Sequence, residues 1–166
     1  MSRFGTLSAQ APSLPSPLFR ALLFLTAVDN FFIMGPAIVG SALLLKTTFG
    51  LGAMELAIFE ACLAAGWFAG SMGFVRRSAF RVPKGKLLLV GMFLDGVTYV
   101  PFFWIRSFPL LCAAVFVHGL SIPLITVPRT ALVQERIPMA MQGQAFSLVQ
   151  LTVIGFTSLS VLATGW

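Results

Sequence analysis

Five apolar runs, each long enough to cross a lipid bilayer, take up most of this chain of 166 residues and leave only short links between them. They cover residues 18–45, 51–75, 87–105, 109–127 and 146–166. A helix needs about 20 mostly apolar residues to traverse the hydrocarbon core. Inside lipid every backbone N–H and C=O must be paired within the chain, and a run of this length does so only as a helix. The expected fold is therefore all-α: a polytopic membrane helical bundle of five transmembrane helices. Composition agrees, because hydrophobic residues make up 58% of the chain and charged residues 10%. A soluble domain carries about 25% charged residues, and this chain has too few to coat a surface in water.

Eleven Lys and Arg against five Asp and Glu give a formal charge of +6. In a soluble protein that excess would point to nucleic acid. Here the basic residues are spread between apolar runs, so they read as loop charges facing an anionic leaflet, with no nucleic-acid partner. Arg3 and Arg20 precede the first run. Arg76, Arg77, Arg81, Lys84 and Lys86 fill the second link, and Arg129 and Arg136 lie in the fourth, residues 128–145. Those nine share one side, and only Lys46 and Arg106 fall on the other. The excess predicts a cytoplasmic N-terminus and a C-terminus across the membrane. Residues 1–17 are rich in Ser and Pro and read as a flexible cytoplasmic lead rather than a signal peptide. Cys62 and Cys112 sit inside apolar runs, where inert core thiols are expected and no disulfide or metal framework is implied.

Four ionisable residues interrupt the apolar runs. Counted from the nearest flanking charge or turn, Asp29 and Asp95 lie roughly 13 Å deep, Glu60 about 12 Å and His118 roughly 18 Å, at a rise of 1.5 Å per residue. All four therefore converge toward the bilayer midplane. An Asp there costs about 2.5–3.5 kcal/mol on insertion scales, so such groups face a cavity or one another and mark an ion or substrate path. Asp29, the adjacent Asn30, Glu60, Asp95 and His118 are the candidates for a substrate or proton pathway, with Thr98, Tyr99 and Gln150 as further hydrogen-bonding groups. The alternative is that they are protonated or paired glue between helices. Their spacing forms no nucleophile, metal or cofactor constellation, so an enzyme is not expected.

The second run places Ala57, Ala61, Ala65, Ala69 and Gly73 at every fourth position, with Gly66 and Gly70 one residue out of step. Small residues at this interval let helix backbones approach in lipid, which predicts a packing face of Ala61, Ala65, Gly66, Gly70 and Gly73. Pro36, Pro101 and Pro123 should each bend or interrupt a helix.

The most specific string is Pro128-Arg129-Thr130-Ala131-Leu132-Val133-Gln134-Glu135-Arg136-Ile137-Pro138, followed by Gly143 and Phe146-Ser147. It resembles the segment between spans ten and eleven of major facilitator superfamily transporters, in the branch of bacterial drug and siderophore exporters. There a short amphipathic cytoplasmic helix ends in Glu-Arg-(Val/Ile)-Pro before an acidic pair and Arg-Gly-Arg. The small-residue stretch 66–73 before the basic link 76–86 looks like span eight and the loop after it. The resemblance covers residues 18–166 and corresponds to spans seven to eleven of a twelve-span carrier, a truncated C-terminal half. It implies Arg129, Glu135, Arg136, Pro138 and Gly143 as a cytoplasmic loop motif. This chain departs from the pattern at Met139 and Ala140, where the family is acidic, and at Gln142 and Gln144, where it has Arg. In function it implies a proton-coupled exporter of small amphipathic molecules in a bacterial inner membrane. A half-carrier needs a second copy of itself or other membrane subunits. The alternative is a non-transporting structural or accessory subunit of a larger membrane complex.

Overall fold

The computed structural model describes residues 16–76 and 82–166. Arg3, Arg77, Arg81 and most of the N-terminal lead lie outside the described residues. Five helical stretches are long and apolar enough to cross a membrane: Pro17–Thr48, Ala53–Gly73, Lys84–Phe103, Phe108–Arg136 and Met139–Thr164. No strand occurs among the described residues.

The prolines divide these spans as their chemistry requires. The first span comprises α1 (Pro17–Gly35), a π-helical turn (Pro36–Gly40) and α2 (Ser41–Thr48). Pro36 has no N–H for the α ladder, and the wider turn absorbs the fault. The second span is α3 (Ala53–Arg76). In the third, α4 (Lys84–Tyr99) tightens into a 3₁₀ turn (Val100–Phe103) at Pro101. In the fourth, α5 (Phe108–Ser121) and α6 (Pro123–Arg136) meet at Ile122, one residue before Pro123. The fifth is α7 (Met139–Thr164).

The fourth link differs from its sequence reading. Residues 128–136 continue α6 with Pro128 inside the helix, and α7 already begins at Met139. The link is thus only Ile137 and Pro138. Ile137 adopts an extended conformation (φ −108°, ψ 128°) because the Pro138 ring disfavours a helical neighbour before it. Gln142 reaches back to this break, its amide nitrogen donating to the carbonyls of Gln134 (3.0 Å) and Ile137 (3.2 Å). It thereby satisfies carbonyls that the end of α6 leaves free.

Each main helix pairing has its own device for close approach. Against α5, α3 presents Gly66, where an added Cβ would lie 2.9 Å from the carbonyl carbon of Phe116. Gly119 answers from α5: a Cβ there would come 3.1 Å from Gly66 Cα. Between α4 and α6, Gly91 admits the backbone of Leu124 in the same way, at 2.7 Å. Between α1 and α7 the device is polar. The Ser160 hydroxyl accepts from Gly35 N–H at 2.7 Å and donates to the carbonyl of Phe31. Gly35 and Phe31 are an i, i−4 pair, so Ser160 bonds both ends of one rung of the α1 ladder just before the π turn.

The predicted small-residue face is therefore only partly a packing face. Gly66 is buried and Gly70 half-buried against Leu120, whereas Ala57, Ala61, Ala65, Ala69 and Gly73 are all exposed. One residue along a helix turns 100°, and the glycines sit that far around from the alanine row.

Two apolar clusters close the bundle at opposite ends. Near the N-terminus Phe19, Leu22, Leu88, Ile125, Val133, Met141 and Ala145 pack together. At the far end Leu45, Phe59, Phe102, Leu111 and Val115 do so. The outer surface is apolar, with Phe24, Phe93, Phe103 and Leu151 each about two-thirds exposed or more. Such a surface is suited to contact with lipid, and the chain reads as an integral membrane protein.

Candidate functional site

Between the two clusters lies a cavity of about 300 Å³. Three of the five acidic residues in the chain line it: Asp29 from α1, Glu60 from α3 and Asp95 from α4. His118 of α5 and Arg129 of α6 complete its ionisable groups, and Tyr99 and Trp67 supply aromatic walls. The helices that deliver these residues are the ones broken or drawn together above. The π turn follows Asp29 by seven residues, the α5–α6 break follows His118 by four, and the Gly66–Gly119 contact sets the distance between α3 and α5.

The most ordered part is the pairing of Asp95 and His118, which are only 4% and 3% exposed. Asp95 Oδ1 lies 3.5 Å from His118 Nε2, an ion-pair contact longer than a hydrogen bond. On its other side the ring meets Thr98, whose Oγ1 is 2.7 Å from Nδ1. Tyr99 packs edge-on against the imidazole, with ring centres 4.5 Å apart. Asp29 and Arg129 line the same cavity as Asp95. With all three carboxylates ionised, Arg129 alone would leave a net negative cavity inside lipid. Bound protons or a cation must offset that charge.

Asn30 lines the same cavity as Asp29 and in addition joins two helices. Its amide nitrogen donates to Thr26 O at 2.8 Å, and its Oδ1 accepts from Thr157 at 3.3 Å. It thereby ties α1 to α7. Gln150 does not reach the central cavity. It is exposed on α7 and lines a groove of about 380 Å³ between α6 and α7, together with Ser147, Phe146 and Arg129.

The loop motif also resolves differently from its sequence reading. Arg129 is half-buried and lines both this groove and the central cavity, so it belongs to the site rather than to a cytoplasmic loop. Glu135 pairs with Lys84 across α6 and α4. Arg136 ends α6, Pro138 breaks the chain, and Gly143 is exposed on α7 with open space around it. Sequence reasoning missed Arg129 and Trp67 as lining residues. The signal for Arg129 was its register: it lies eleven residues beyond His118, three helical turns along the same fourth span. Among the described residues no group of three His, Cys, Asp or Glu is placed to hold a metal ion.

No protein-family model matches the chain, and no curated protein or solved structure is significantly similar to it.

Proposed function

We propose that this chain is a transporter-type integral membrane protein, a proton-coupled carrier of small amphipathic molecules related to the C-terminal half of major facilitator exporters. The observation that carries the reading is the convergence of Asp29, Glu60, Asp95, His118 and Arg129, from five separate helices, on one cavity between two apolar closures. Placing so many ionisable groups within membrane-spanning helices is costly, and a bundle held only by packing has no use for them. In this reading the carboxylates take up protons as the cavity changes the side to which it opens, and Trp67 and Tyr99 offer an amphipathic molecule its apolar contacts. A second copy of the chain or other membrane subunits complete the wall of the path, and the basic end faces the cytoplasm of a bacterial inner membrane.

The test uses inverted membrane vesicles from cells expressing the chain, with an imposed pH gradient and a fluorescent amphipathic probe. Uptake above that of vesicles lacking the chain is expected. Asp29→Asn should return uptake to that background while the protein remains inserted at unchanged abundance. Wild-type uptake in Asp29→Asn would overturn the reading.

A second reading has one observation in its favour. The exposed row Ala57, Ala61, Ala65 and Ala69 offers a smooth face for another helix, as in a structural or accessory subunit that does not transport. Ala65→Leu should then release co-purifying membrane proteins, and continued co-purification would count against it.

A further inference from the structure

We infer that Asp95 and His118 form a pair that holds one proton, carried by either partner, and that Thr98 is the positioning residue that fixes the ring's other hydrogen on Nδ1. The role of that proton in coupling rests on the transport reading; the geometry of the pair does not.

The argument begins with the hydrogens. Thr98 Oγ1 carries one hydrogen and lies 2.8 Å from the carbonyl of Leu94 and 3.0 Å from that of Asp95, both on its own helix. A threonine hydroxyl within a helix commonly donates back to the preceding turn. Its lone pair then accepts from the imidazole at 2.7 Å, which places the hydrogen of His118 on Nδ1. The other ring nitrogen, Nε2, is left facing Asp95 Oδ1 at 3.5 Å. In an imidazole the partner of one nitrogen decides what the other can do.

The Thr98 hydrogen bond sets the tautomer, and charge sets how many protons the pair holds. With Asp95 ionised and the ring neutral, the pair would carry −1 in either tautomer. Around it stand Asp29 on α1, Glu60 on α3, the Tyr99 hydroxyl on α4 and one cation, Arg129 on α6. A further negative charge beside two carboxyl groups in lipid is the costlier choice. With the hydrogen on Nδ1, one more proton between Oδ1 and Nε2 leaves the pair neutral. It is a carboxylic acid facing a bare nitrogen, or, once the 3.5 Å contact closes to hydrogen-bond length and the proton moves, a carboxylate facing an imidazolium. The transfer moves one proton and creates no net charge. Loss of that proton leaves the carboxylate and a neutral ring, with net −1 that Arg129 is placed to offset.

His118 is the sole histidine of the chain. Protein labelled with nitrogen-15 histidine and placed in lipid nanodiscs therefore yields one pair of ring signals. At neutral pH the wild-type protein should show the one-bond N–H coupling of a firmly held hydrogen on Nδ1. Nε2 should be displaced from the position of a bare nitrogen by its shared proton. Thr98→Val, which keeps the shape and removes the hydroxyl, should move the hydrogen to Nε2 in most molecules. Thr98→Ser should restore the wild-type pattern, and Asp95→Asn should leave Nδ1–H in place while Nε2 becomes fully bare. A wild-type ring with its hydrogen on Nε2 alone would overturn the inference, as would a Thr98→Val spectrum identical to wild type. If Thr98→Val does not fold, the wild-type and Thr98→Ser spectra still decide the tautomer. A correct tautomer without any probe uptake in vesicles would sink the transport reading and leave the pair standing.

Discussion

Replacing Gly66 by Ala adds one methyl group at the closest approach of α3 and α5. That methyl would lie 2.9 Å from the carbonyl carbon of Phe116 and 3.1 Å from its Cα, with the carbonyl oxygen nearer still. Ordinary contact begins at 3.4 Å. The atoms met are backbone, so no side chain can rotate away, and α5 must move by about an ångström. That movement would open the reciprocal contact at Gly119 and loosen the far apolar cluster around Phe59, Leu111 and Val115. Overpacking of this kind costs about 1–3 kcal/mol, and a rigid obstacle places the cost near 3, roughly a hundredfold in the folding equilibrium. Ala65→Leu is the control. Ala65 is one residue away but exposed, and a larger side chain there should change stability by less than about 0.5 kcal/mol. Unfolding in mixed micelles of mild detergent and dodecyl sulfate, followed by circular dichroism, measures both. Equal stability of Gly66→Ala and the wild type would refute the helix contact, and a destabilised Ala65→Leu would place the packing face on the alanine row instead.

Two further predictions concern the same framework. Ser160→Ala removes the hydroxyl that bridges Gly35 N–H and Phe31 C=O, and should cost about 1–2 kcal/mol in the same unfolding assay. Cys62 and Cys112 stand on the paired helices α3 and α5, so mild oxidation in membranes should protect both from alkylation within a single chain. Continued double alkylation would contradict the neighbouring placement of these helices.

The span count was legible because a charge-poor run of some 20 residues has only one stable form in lipid. The breaks at Pro36, Pro101 and Pro123 were legible for a similar reason, since proline lacks the N–H that a helix needs. The acids were legible as a group because each stands alone in an apolar run. Arg129 was not. Its neighbour Pro128 and the polar residues after it read as a link, but a buried proline is tolerated within α6 and the helix runs on to Arg136. The α3 face was half legible. A fourth-position repeat of small residues permits close packing without requiring it, and the partner helix chose the row offset by one residue. Gln142 looked like a lost charge; in the fold it closes the end of α6.

The account requires water to reach the cavity that holds Asp29, Glu60 and Asp95, and cysteine accessibility tests that claim most directly. In a chain whose own Cys62 and Cys112 are replaced by Ala, Ala37→Cys places a thiol on the cavity wall, whereas Phe93→Cys places one on the outer surface, where the native side chain is 69% exposed. A membrane-impermeant thiol reagent should label the first in intact membranes and leave the second unlabelled. Failure to label Ala37→Cys from either side of the membrane would contradict the cavity and, with it, the pathway assigned to Asp29, Glu60 and Asp95.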